Sequence, residues 1–361
     1  MLPPSLRKSP PVRELEYLSE ETPAFAVVVG NPPYQRSIAS ETHRNRSKAT
    51  PVYQDFVALG KDLDCPRLSL VMPARWYTGG WGLDSFRQAM LQDRSLVTLM
   101  DVARSDLLFA GTGVNGGLCV ASWGREVGLP RVLRWDSKGE LLEDQQRALA
   151  PVGGDFLLRD HRALELLESV GTVGRPEAET FTSLIVGGFG LNTNFTNATH
   201  SSCDFVDPVR LLSIGEKMGW MERTAVPAQQ DSIDRWKVAI PLSHSEHALT
   251  RVGRCILLPP ASVCTHSYLA ACFSSEAEAR SALSYTRTRF FRFLVGILKI
   301  SPIATRQVYR LVPVLPWDRE WTDEELYERF NLSKELRDHV NVSTAVTAPA
   351  IVGLRPQRST E

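Results

Sequence analysis

Two rhythms of apolar residues alternate through the first third of the chain. Phe25–Val29 (FAVVV) is a short, unbroken, β-branched run, which predicts a strand buried on both faces. It leads into Gly30-Asn31-Pro32-Pro33-Tyr34, where two prolines forbid continuation of strand or helix. Residues 35–50 are polar and predict a loop carrying Arg44, Arg46 and Lys48 close together. Val52, Phe56, Leu59 and Leu63 then recur at helical spacing, Leu68–Met72 is a second buried strand, and Leu83, Phe86 and Met90 stripe a second helix. Leu96–Val102 and Leu118–Trp123 complete the set. The alternation predicts a layered α/β sheet over about residues 24–125.

The rhythm then changes. Residues 126–180 are mixed, with a helix expected at 160–170. Short strand candidates and turn residues fill 181–263. The longest helical pattern runs over 276–298, and a last helix spans 322–340, opened by a capping box of Thr322 and Glu325. The tail from about 344 has few apolar anchors and is expected to fray. The boundaries expected are a lead-in at 1–22, an α/β domain at 23–150, a second, α+β domain at 151–340 and a tail at 341–361.

Composition narrows the class. Hydrophobic residues make up 43%, which excludes a disordered chain. No apolar run reaches the roughly 18 residues of a membrane span, and the N-terminus has no signal-peptide core. Six scattered cysteines (65, 119, 203, 255, 264 and 272), none in a CxxC pair, read as reduced thiols of a cytoplasmic protein without a metal site. The 41 basic and 41 acidic side chains cancel. That argues against a protein basic all over, but not against a basic face.

Asn-Pro-Pro-Tyr at the end of an apolar strand points to chemistry on an exocyclic amino group. An Asn oxygen and a rigidly aimed carbonyl can both accept the N–H bonds of a conjugated amine, drawing its nitrogen toward a lone-pair-bearing geometry. The prolines fix φ and aim the carbonyl of Pro32, and Tyr34 offers a ring on which an extruded base can stack. The plainer reading is a strand capped by a turn-forming Asn-Pro.

These residues resemble motif IV of the gamma-class DNA adenine-N6 methyltransferases of single-chain type II restriction-modification systems. The likeness continues through Thr50–Phe56, Leu68–Trp76 with its P-x-R-W exit, Gly79–Arg87 and Phe109–Gly117, and into Asp234–Val238, Pro259–Thr265, Thr288–Leu294 and Pro316–Tyr327. It implies a partial Rossmann-like methyltransferase sheet followed by an α+β target-recognition domain. It implies Asn31, Pro32, Pro33 and Tyr34 as catalytic residues, Phe109 closing the base pocket, S-adenosyl-L-methionine as cofactor and double-stranded DNA as partner, with no membrane. The same loop position suits a core Phe under a Gly-rich turn.

In that family the cofactor is held mainly upstream of NPPY, by a Gly-rich turn and an acidic residue after the next strand. Only 30 residues precede Asn31, and they contain no such unit. The expectation is a truncated product, or a chain whose partner supplies the cofactor half. An exposed apolar sheet edge, and association or poor solubility, would follow. Leu184–Gly190 is the one downstream candidate for a cofactor turn, but LNTNFTNATH after it is a poor helix opening.

Between Glu278 and Asp318 there is no acid, while Arg287, Arg289 and Arg292 lie among interleaved aromatics. With Lys237, and with Arg44, Arg46 and Lys48, these are the expected DNA contacts; a core helix with a solvated Arg face is the alternative. Two rival functions remain. One is a catalytically inactive DNA-binding or specificity fragment. The other is a methyltransferase acting on a protein glutamine amide or an RNA amino group. No nuclease centre is recognisable.

Overall fold

The computed structural model describes residues 25–36, 50–80, 82–195, 198, 204–243, 252–344 and 350–351. They form a mixed α/β structure of two compact units, Met1–Ala148 and Leu149–Glu361.

The first unit is built on β1 (Val28–Gly30), β2 (Leu68–Pro73), β3 (Leu96–Val102), β4 (Leu118–Trp123), β5 (Arg131–Trp135) and β6 (Leu141–Gln146), in the order β1-β2-β4-β3-β5-β6. β1 and β2 run parallel, with Val28 opposite Leu68 and Gly30 opposite Leu70. β4 is inserted antiparallel to both β2 and β3, β5 returns parallel to β3, and β6 closes antiparallel. Helices α1 (Tyr53–Asp62) and α2 (Asp84–Gln92) follow β1 and β2. Edge-to-face rings of Tyr53, Trp76, Tyr77 and Phe86 pack where β2 exits toward α2. Asp93 ties the far side together, accepting from Trp123 Nε1 at 2.7 Å, from Ser95 Oγ at 2.6 Å and from Lys61 Nζ.

β1 departs from the buried strand expected of FAVVV. It is the sheet's edge: Val29 within it, and Phe25 and Val27 just before it, are 74%, 42% and 54% exposed. Only β2 flanks it among the described residues. β5 and β6 are strands within the stretch read as mixed. LLEDQQ is an edge strand with Leu141 and Leu142 exposed and polar residues after them, so no apolar alternation marks it.

The second unit has two sheets. One holds β7 (Ile185–Val186), β10 (Trp236–Pro241), β11 (Ile256–Leu258), β13 (Tyr268–Phe273) and β14 (Ala350–Ile351), in the order β14-β11-β10-β13-β7. The other holds β8 (Pro208–Ser213), β9 (Lys217–Glu222) and β12 (Ser262–Cys264), with β8 central. Val238 and Ile240 of β10 face one core with the helices, while Ala239 faces a second core shared with β8 and β12.

The helical stretch 276–298 is two helices, α4 (Glu276–Arg287) and α5 (Arg289–Leu298), after α3 (Ala163–Val170). Thr288 is extended between them, and its hydroxyl accepts from Phe291 N at 3.1 Å. Likewise 322–340 divides into α6 (Asp323–Arg329), which has the expected Thr322/Glu325 capping box, and α7 (Lys334–Ser343), capped by Ser333. The tail supplies β14, paired with Ile256 and Leu257, where fraying was expected. Among the described residues no helix is long and apolar enough to cross a membrane, and no cluster of His, Cys, Asp or Glu is arranged to hold a metal.

Candidate active site

In an open α/β sheet, ligands bind beyond the carboxyl ends of the parallel strands. Asn31 stands immediately past the carboxyl end of β1, and Pro73–Trp76 leave the same end of parallel β2. Pro32 is buried, Tyr34 is half-buried, and Asn31 and Pro33 are exposed. The segment is held from behind. The Val52 amide donates to the Tyr34 carbonyl at 3.3 Å, and Gln35 and Arg36 pair antiparallel with Pro51 and Thr50, so the start of α1 is fastened to the tetrapeptide. The Asn31 and Tyr34 side chains are hydrogen-bonded. Burial pushes the Tyr34 hydroxyl above its ordinary pKa, outweighing that bond, so Tyr34 is a neutral ring at physiological pH.

Phe109 is half-buried in the loop joining β3 to β4. Ser105, which the sequence did not single out, organises this loop. Its hydroxyl donates to Thr112 O at 2.8 Å and accepts from Val114 N at 2.9 Å, while its carbonyl accepts from Phe109 N at 2.9 Å. The Ala74 amide donates to Gly117 O at 3.0 Å, joining the loop's end to the exit of β2. Gly117 has φ +85°, and a Cβ there would lie 2.3 Å from Val102 O, so only glycine closes this turn. Gly79 serves the other exit loop: a Cβ would lie 1.7 Å from the buried Arg87 guanidinium, which packs on the bare backbone. Beneath these loops Tyr77 donates to buried Asp101 at 3.2 Å.

Residues 8–109 match the family model described as Eco57I restriction-modification methylase. This segment is similar to a restriction-modification methylase domain. A curated relative described as an uncharacterized adenine-specific methylase, from Mycoplasma pneumoniae, is 30% identical over 100 residues, covering 27% of this chain and 23% of its own length. The chain therefore spans about a quarter of that relative. Among solved structures, the type I restriction-modification methyltransferase subunit from Streptococcus thermophilus aligns with TM-score 0.25 at 17% identity, over 44% of this chain and 34% of its own. The type IIL restriction-modification enzyme MmeI in complex with DNA aligns with TM-score 0.40 at 9% identity, over 90% and 55%.

The expected DNA contacts are not brought together. Arg44, Arg46 and Lys48 lie outside the described residues. Lys237 is 0% exposed on the face of β10 that carries Ala239, and its ammonium donates to Ile233 O at 2.8 Å and Arg235 O at 2.7 Å. Burial pulls it down to about 8, against the nearby Cys272, Cys264 and Asp234. Arg292 is 1% exposed and donates to Val252 O at 2.7 Å. Neither reaches a phosphate. Arg289 donates to Asn341 Oδ1 at 3.2 Å, and half-buried Arg287 is held below its ordinary pKa by desolvation. The interleaved aromatics Tyr285, Phe290, Phe291, Phe293 and Tyr309 are core, not stacking platforms. Two arginines of the run without acids meet carboxylates from outside it, Arg310 with Asp155 at 2.6 Å and Arg280 with Glu276 at 2.6 Å.

Proposed function

We propose that the first unit is the acceptor half of a gamma-type adenine-N6 DNA methyltransferase of a restriction-modification system, and that the second unit is its target-recognition domain. The observation that supports this most is Asn31, beside Tyr34, at the carboxyl end of an edge strand that has a parallel neighbour. The Asn31 oxygen and the Pro32 carbonyl accept the two N–H bonds of a flipped adenine's amino group, turning its lone pair out of conjugation. Tyr34 stacks on the base, and Phe109, in the loop that Ser105 braces, closes the pocket. The bound cofactor would supply the methyl group, its sulfonium sulfur leaving with the S–C electron pair as a neutral thioether; the methylated nitrogen would then be cationic and shed its proton to solvent, so no side chain need act as base.

S-adenosyl-L-methionine is the methyl donor that the family likeness implies. The described residues do not form a cradle for it. The Gly187–Gly190 segment after β7 opens no helix, and a Cβ on Gly188 would meet the His266 ring at 2.6 Å. The exposed apolar side chains of Phe25, Val27 and Val29 at this edge fit an α/β segment added parallel to β1, whose carboxyl-end loop would lie beside Asn31. We take that segment, in this or another polypeptide, to hold the cofactor. Calorimetry of these 361 residues with S-adenosyl-L-methionine tests that part: tight binding by them alone would overturn it. Duplex DNA binding without methyl transfer, even with the cofactor segment supplied, would favour the inactive specificity fragment instead.

A further inference from the structure

Two of the DNA contacts expected in the second unit, Lys237 and Arg292, are buried. A different arginine is placed for that role. Arg210 lies at the middle of β8, the central strand of the three-stranded sheet, directly opposite Trp220 on β9 and Ser262 on β12. Its guanidinium carbon sits 5.4 Å from the Trp220 ring centroid, and both side chains are half-exposed. Stacking on an indole fixes the plane of a guanidinium while leaving its N–H edge for another partner.

Arg210 has no carboxylate partner among the described residues, in contrast to Arg223, paired with Asp234 and Asp207, and Arg254, paired with Glu216. The register explains this. On the face of the β8–β9 hairpin that holds Arg210, the residues are Pro208, Leu212, Met218, Trp220 and Glu222. Glu222 is the one acid there, and its carboxylate is turned to the amides of Val206 and Asp207 at 3.0 and 3.1 Å. A cation on a rigid central strand is thus pre-oriented by an aromatic and left unneutralised.

We propose that Arg210, oriented by Trp220, is a DNA-contacting residue of the second unit, donating two parallel N–H bonds to a paired-acceptor group of the duplex. Two groups offer that chemistry, the O6/N7 edge of a guanine and a phosphate. The inference rests on the DNA reading above.

The test uses the full chain and a duplex library with a randomised central segment. Wild type, Arg210→Ala, Arg210→Lys and Trp220→Leu are compared for selected sequence, affinity and salt dependence, with thermal midpoints as folding controls. If Arg210 reads guanine, both Arg210 variants relax selection at one G position by about tenfold or more, because lysine lacks the fork. If it grips a phosphate, Arg210→Ala weakens all duplexes alike and lowers the salt slope by about one, while Arg210→Lys retains it. Trp220→Leu weakens either contact in the same direction. A folded Arg210→Ala protein that matches wild type in affinity, slope and selected sequence overturns the inference and leaves the DNA reading standing. Wild type that binds no duplex overturns the DNA reading itself.

Discussion

The amide of Val52 donates to the carbonyl of Tyr34 at 3.3 Å, so the first turn of α1 holds the tetrapeptide that begins at Asn31. Asn31 can therefore be altered without moving the backbone that carries it. Asn31→Ala should abolish methyl transfer while leaving duplex affinity within about twofold, since the loss falls on a contact made only to the reacting amine. Transfer assays and anisotropy titrations on the same preparations check this.

Ser105 braces the Phe109 loop through five hydrogen bonds, three accepted by its carbonyl and two made by its hydroxyl. Ser105→Ala removes those two and should cost about 1–3 kcal/mol, at about 0.5–1.5 kcal/mol each. Hydrogen exchange at the Val114 amide should accelerate, and turnover should fall more than duplex affinity.

Asp93 is largely buried, and burial alone would raise its pKa. Hydrogen bonds from Lys61, Ser95 and Trp123, with the Lys61 charge, outweigh burial and hold it below the ordinary carboxylate value. A depressed folded pKa stabilises above the unfolded value and is lost as pH falls through the folded one. The thermal midpoint should therefore drop as pH falls below about 4. Asp93→Asn should lower the midpoint at pH 7 and flatten that drop. An unchanged acid limb in the variant would contradict the assignment.

Lys237 is satisfied by two carbonyls inside the second unit. Lys237→Met, of similar volume, should leave the salt slope of duplex binding unchanged. A slope reduced by about one would show a phosphate contact that its burial forbids.

What was legible in the sequence divides by the range of the forces involved. The bounds of β2, β3, β4, α1 and α2 followed the apolar pattern to within a residue or two, but α1 buries Tyr53, Val57 and Gly60 rather than the stripe through Phe56, which is exposed. The NPPY tetrapeptide stood out because two prolines after an apolar strand admit few local structures. The exposure of Val29 was not legible from FAVVV itself, since a run says what a strand can bury and not whether a neighbour covers it; an exposed apolar edge was expected only from the family resemblance. Arg287, Arg289 and Arg292 misled for a related reason. A run without acids along the chain is not a charged face in space: Arg310 meets Asp155 from 155 positions away, and Arg292 is spent on Val252 O. Ser105 left no signal, because a lone serine before a Gly-rich loop is common and its hydrogen bonds exist only once the loop is folded.

The central claim is tested most directly in the cell that makes this chain, where any further segment is present. Its genomic DNA, read for modified bases, should carry N6-methyladenine at one defined sequence, and that mark should vanish when the chromosomal copy encodes Asn31→Ala. The same adenine methylation in the Asn31→Ala strain, or methylation confined to cytosine carbon-5, would contradict the account.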